Sequence, residues 1–169
     1  MKQTNWKEFA ELLGIAAIFG SLVFVGLELR QSQQIAIAGQ YQQRAESFVE
    51  QLYARVPFSS EQERLAKNVR SAYSDMIDIS VLESMSDEGI ALEWVRASAD
   101  GTMFDNNYFQ YQSGMMSDDG WQAMRGRLKR ALRLSPFLRA ELILRGDRYR
   151  SSFRELCDQL MAENALEKD

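Results

Sequence analysis

The chain has one cysteine, Cys157, and no histidine. A thiol nucleophile usually relies on an imidazole to take its proton, and histidine is also the commonest general base and metal ligand. Its absence excludes the H-E-x-x-H metalloprotease pattern and the Glu-x-x-His di-iron pattern. Cys157 shares a helical apolar stripe with Phe153, Leu156, Leu160 and Met161, so it reads as a small core residue. A lone cysteine also excludes an intramolecular disulfide and a cysteine-rich zinc module.

The carboxylates have structural explanations. Asp87-Glu88 and Asp118-Asp119 each fall in a first helical turn, where capping and the helix dipole favour acids. Asp105-Asn106-Asn107 offers oxygen ligands, but consecutive residues of a helix do not face one point. No glycine-rich phosphate loop is present. The sequence therefore predicts no catalytic residue, no metal and no cofactor, and a protein that is not an enzyme.

Charge is segregated along the chain. Residues 75–119 carry ten acids and one base, Arg96, while residues 125–154 carry ten bases and two acids, Glu141 and Asp147. Arg125, Arg127, Lys129, Arg130 and Arg133 crowd one segment. Three partners fit such a pattern: the acidic segment, within one chain or between copies; the headgroups of anionic lipid; and nucleic acid. The overall net charge is −4, which disfavours nucleic acid, and none is expected as a partner.

Residues 12–27 read LLGIAAIFGSLVFVGL, sixteen residues without a charge. With Glu28 and Leu29 the run reaches eighteen, against about 17 as the lower limit for a membrane helix. Trp6 and Arg30 flank it where interface anchors belong, and Glu11 and Glu28 fall near headgroup level. The reading is a transmembrane helix, with the lipid bilayer as its first partner. Two other readings fit the same residues. One is the apolar central helix of a soluble bundle. The other is a signal peptide with Lys2 and Lys7 before it and Ala36-Ile37-Ala38 as the cleavage site, although Glu28 and Arg30 intervene.

At about 100° per residue, Ala10, Gly14, Ala17, Ser21 and Glu28 share one helix face, and Ala16 and Gly20 form a second small pair. Small residues let membrane helices approach closely, so the face Ala10, Gly14, Ala17, Ser21 predicts a homo-oligomer. A channel is the alternative: Ser21 and Glu28 would line a central path, with a carboxylate ring at its mouth attracting cations. A third reading is a membrane-anchored module that docks anionic lipid through Arg125, Arg127, Lys129, Arg130 and Arg133. No protein partner is named by the sequence.

These residues need elements to hold them. No break follows the apolar run until Pro57, so one helix is expected over residues 8–56, about 70 Å long at 1.5 Å per residue. Gly39 is its weak point, and the part beyond the span is rich in glutamine. Further on, Ser60 with Glu63 and Ser152 with Glu155 have capping-box spacing. Ser86, Ser117 and Ser135-Pro136 open three more helices, and Gly146 closes the helix that starts at Ser135. Trp121, Met124, Leu128 and Leu132 form one apolar stripe; Tyr108, Phe109 and Tyr111, with Phe104, form a packing face. No alternating β-branched run appears. The fold class is all-α: a long N-terminal helix including a transmembrane span, then a small helical bundle. The expected parts are residues 1–30 (tail and transmembrane helix), 31–56 (continuation of that helix) and 57–169 (soluble helical domain).

One resemblance joins these features. The span ends in Leu27-Glu28-Leu29-Arg30-Gln31-Ser32. Downstream come Asn107-Tyr108-Phe109-Gln110-Tyr111-Gln112, Gly114, Asp118-Asp119 and Trp121, then Tyr149-Arg150-Ser151-Ser152-Phe153-Arg154. This resembles a widespread uncharacterised family of small bacterial single-span membrane proteins with a helical C-terminal domain. The likeness covers most of the chain. It implies a bacterial inner-membrane location with the soluble domain in the cytoplasm. This chain departs from the pattern in having fewer arginines after the span, which leaves the positive-inside comparison nearly balanced: Lys2 and Lys7 against Arg30 and Arg44. The family carries no activity to transfer.

Overall fold

A computed structural model describes residues 6–166. The described residues form seven α-helices and one 3-10 turn, with no strand among them. The helices are α1 (Trp6–Arg55), α2 (Ser59–Tyr73), α3 (Ile79–Ser84), α4 (Asp87–Gln112), α5 (Asp118–Leu134), α6 (Pro136–Leu144) and α7 (Ser151–Leu166), and the 3-10 turn Gly146–Arg148 joins α6 to α7. The all-α class is as the residue patterns require. Lys2 lies outside the described residues.

The chain divides into two compact units, residues 1–39 and 40–169. In the first, α1 is helical throughout its described part, and Ala36-Ile37-Ala38 lies inside the helix. None of the most apolar 18-residue window of this helix is buried. Phe19, Leu22 and Phe24 stay about three-fifths exposed, at 64%, 62% and 60%. Gly39 does not interrupt the helix. Glycine costs about 1 kcal/mol against alanine in a helix interior, so continuity here is held by its neighbours.

The second unit holds the core. Helix α2 packs on α4, α4 on α5 and α6, α5 on α6, and α7 on α5. Leu52 and Val56 join this core together with Leu65, Val69, Ile90, Val95, Leu128, Leu138 and Phe153. The stripe on α5 behaves as its spacing predicts, with Trp121, Leu128 and Leu132 buried and Met124 half-buried. On α7, Phe153, Cys157 and Leu160 are buried, while Leu156 and Met161 pack half-buried against them.

Three serines cap as expected. Ser86, Ser117 and Ser135 accept from the backbone N–H groups of Gly89, Gly120 and Leu138 at 3.1, 3.2 and 3.1 Å. Pro136 occupies the first turn of α6. Two predicted boxes do not form. Helix α2 starts at Ser59 with Phe58 at the N-cap; the Phe58 carbonyl takes the N–H groups of Glu61 and Gln62, and its side chain has no acceptor to cap with. Ser60 therefore sits inside the first turn. Helix α7 starts at Ser151, which moves Ser152 inside it, where its hydroxyl lies 3.4 Å from Gln112 Oε1. Gly146 follows the end of α6 but opens the 3-10 turn instead of taking a left-handed cap.

The left-handed residue is Gly114, at φ 74°. Its N–H donates to Tyr111 O (2.9 Å), and Met115 N–H donates to Gln110 O (2.8 Å). That is the Schellman pattern ending α4, and glycine takes the positive φ without a Cβ penalty.

Candidate functional site

Helix α1 presents its small face to the outside. Ala10, Gly14, Ala17, Ser21 and Glu28 are all exposed. An added Cβ at Gly14, Gly20 or Gly26 meets no atom within 4 Å. No packing within the chain therefore requires these glycines, although each lowers helix propensity. The Ser21 hydroxyl donates to Ile18 O at 2.8 Å, a local bond that satisfies a serine without water. The flanking ring pair Trp6 and Phe9 stacks at 5.8 Å.

The basic segment splits in two. Glu163 of α7 receives Arg125 at 2.8 Å and Lys129 at 3.0 Å, clasping α5 to α7. Lys129 and Arg125 hold the Glu163 carboxyl below the usual carboxylate range. Arg127, Arg130 and Arg133 stay exposed at three-residue intervals, one neighbouring row on α5. Between the acidic and basic segments one link is Arg150 to Asp105, at 3.1 Å. The two half-buried bases of α5 are held by Glu163, which lies in neither of the two segments.

The sequence reading missed the most enclosed charge. Glu141 on α6 is fully buried. Its Oε2 accepts from the Tyr73 hydroxyl at 2.5 Å, and Tyr73 in turn accepts from Trp94 Nε1 at 3.2 Å. Arg145 Nε and Arg148 each approach the carboxylate at 3.8 Å. The Arg145 guanidinium also lies 5.0 Å from the centre of the Trp94 ring. Burial, reinforced by the Glu141 charge, pushes the Tyr73 hydroxyl far above its ordinary range, so it stays a donor. This network ties α2, α4 and α6 to the turn before α7. Its signal in the sequence is a single acid inside the apolar string Pro136-Phe137-Leu138-Arg139-Ala140-Glu141-Leu142.

The aromatic face of α4 is a packing surface, as expected. Tyr111 stacks on Trp121 at 5.1 Å, Tyr108 tilts against Trp121 at 5.1 Å, and Phe109 meets Tyr41 at 4.6 Å. Among the described residues, no three thiol or carboxylate groups gather at one point. The Asp105-Asn106-Asn107 oxygens do not converge: Asp105 faces Arg150, and Asn107 Nδ2 lies 3.9 Å from Met124 Sδ.

Cys157 is buried, and burial pushes its thiol up to about 12. Near neutral pH it is protonated and sealed from reagents. At about pH 8, iodoacetamide should alkylate the native chain at least about 100-fold more slowly than the unfolded chain. Equal rates would contradict its place in the core.

Comparison with known proteins finds no matching family model, no similar curated protein and no matching solved structure.

Proposed function

We propose that the chain is a non-enzymatic, single-pass protein of the bacterial inner membrane. It self-assembles through its N-terminal helix and serves a scaffold or accessory role. The bundle faces the cytoplasm, and the chain is kin to the small single-span proteins it resembles. The observation that carries the reading is the apolar window of α1, which is long enough to span and has no cover from the rest of the chain. Apolar surface of that extent needs a partner, and hydrocarbon is the partner that matches all sides of a helix. The small face of Ala10, Gly14, Ala17 and Ser21 supports pairing between copies, since no neighbour within the chain makes use of Gly14.

The test is crosslinking of the full chain in mild detergent across a range of protein-to-detergent ratios. Dimers or larger species should form, and Gly14→Ile should weaken association about tenfold, equivalent to ~1.4 kcal/mol. Monomers at every ratio would overturn self-assembly while leaving the membrane span in place.

A second reading concerns the exposed row Arg127, Arg130 and Arg133. Guanidiniums on an anchored domain meet anionic headgroups at about 1 kcal/mol per charge near the surface. Arg125 and Lys129 contribute less, because Glu163 already holds them.

A further inference from the structure

The last turns of α5 carry two kinds of exposed side chain on one face. At about 100° per residue, Arg127, Arg130 and Leu134 fall within about 60° of one another, with Arg133 at the border. All four are exposed, and Leu134 is 64% open, as much as Phe19 in the apolar run of α1. Residues 120–140 contain no acid. Glu163 takes Arg125 and Lys129 at 2.8 and 3.0 Å and leaves the other three arginines uncommitted.

The end of α5 is prepared for apolar surroundings. A helix C-terminus leaves carbonyls without donors, and hydrocarbon supplies none. Here the Ser135 N–H donates to Ala131 O at 2.8 Å. Arg139 Nη1 donates to Leu132 O at 2.6 Å and to Arg133 O at 3.1 Å. Arg139 thus folds back from α6 onto the carbonyls beside Leu134. The leucine leaves water without stripping the backbone next to it.

Arginines around an exposed leucine match a surface with phosphate outside and hydrocarbon just beneath. A polyanion in water offers the phosphates alone and leaves Leu134 wet. We infer that the C-terminal half of α5 docks on anionic lipid of the bilayer that holds α1. Arg127, Arg130 and Arg133 lie among the headgroup phosphates, and the Leu134 side chain enters the acyl region below them. The inference rests on the membrane span of α1. Ten residues, 30–39, separate the apolar run from the unit that holds α5, about 15 Å of helix. Such a tether keeps that unit at high local lipid concentration.

Methyl NMR of the full chain in nanodiscs tests this, with a spin label on the lipid acyl chains. The discs contain phosphatidylcholine alone or with roughly one-third phosphatidylglycerol. In the anionic discs, paramagnetic relaxation of the Leu134 methyl groups should be at least about threefold greater than in the neutral ones. Ile79, 57% exposed on α3, is the reference and should change little. Raising salt from about 0.05 to about 0.5 M should remove the gain by screening. The triple variant Arg127→Gln, Arg130→Gln, Arg133→Gln should remove it at low salt, and its exposed positions spare the core. Retention of the chain by the disc reports on the span and is read separately. A retained chain whose Leu134 relaxation is equal in both discs, or matches that of Ile79, or persists in the triple variant, overturns the inference and leaves the span standing. A response that follows the number of chains per disc instead of lipid charge assigns the face to a second copy and also overturns it. Loss of the chain from the discs overturns the span and this docking with it.

Discussion

Phe19→Arg is expected to remove most of the protein from the membrane fraction. Phe19 is 64% exposed near the middle of the apolar run. It lies about 200° around the helix from Ser21, so the change spares the small face. An arginine at the centre of a span costs about 2.5–3.5 kcal/mol on insertion scales, a shift of at least about 50-fold against insertion. The run has eighteen residues including Glu28, so little apolar length remains to offset that penalty. Retention after alkaline carbonate washing measures it. If α1 stood in water, an exposed substitution of this kind would change stability by about 0.5 kcal/mol or less and leave the distribution unchanged. An unaltered distribution of Phe19→Arg would count directly against a hydrocarbon environment.

The residues that announced themselves in the sequence acted through local chemistry. Ser86, Ser117 and Ser135 each precede acids or a proline, and their hydroxyls reach a backbone N–H three residues on. The stripe of Trp121, Leu128 and Leu132 needed only helical spacing to be legible. Ser60 and Ser152 had the same local signal, but their helices start two residues earlier than a cap at those serines requires. The competing acceptor at Phe58 is a backbone carbonyl, which carries no mark in the sequence. Helix α3 is six residues long, below the length at which periodicity can be read. Gly114 was legible as a residue but not as the end of α4, because its role depends on where Gln110 and Tyr111 place their carbonyls.

The site residues divide the same way. The exposed small face of α1 follows from spacing alone. The contacts of Arg150 with Tyr41, Phe109 and Asp105 do not: these residues come from segments up to about a hundred residues apart, and only tertiary packing unites them. The pairing of Glu163 with Arg125 and Lys129 also depends on α7 docking beside α5. Glu141 was within reach, since an acid on the apolar stripe of Phe137, Leu138 and Leu142 must either be paired or face away from the core.

That buried acid carries the second large effect. Tyr73→Phe should destabilise the bundle by about 2–3 kcal/mol in chemical denaturation, a large part of the stability of a typical domain. The substitution removes the hydrogen bond to Glu141 Oε2 and the acceptor for Trp94 Nε1 while changing little volume. It leaves Glu141 with only the arginines at 3.8 Å as partners, and its Oε1 already accepts no hydrogen bond. A buried charge stripped of its donor is worse than no charge. The double variant Tyr73→Phe with Glu141→Met should therefore lose less than Tyr73→Phe alone, a sign that additive loss cannot produce. Wild-type stability in Tyr73→Phe would show that the network does not hold α2, α4 and α6 together.

The central claim is that residues 12–29 of α1 have lipid as their solvent, and fractionation of the unaltered full chain tests it most directly. After lysis without surfactant, high-salt and carbonate washing and flotation on a density gradient, the protein should rise with the vesicles and leave them only in detergent. Recovery as a folded, monodisperse species in the detergent-free supernatant would contradict the account.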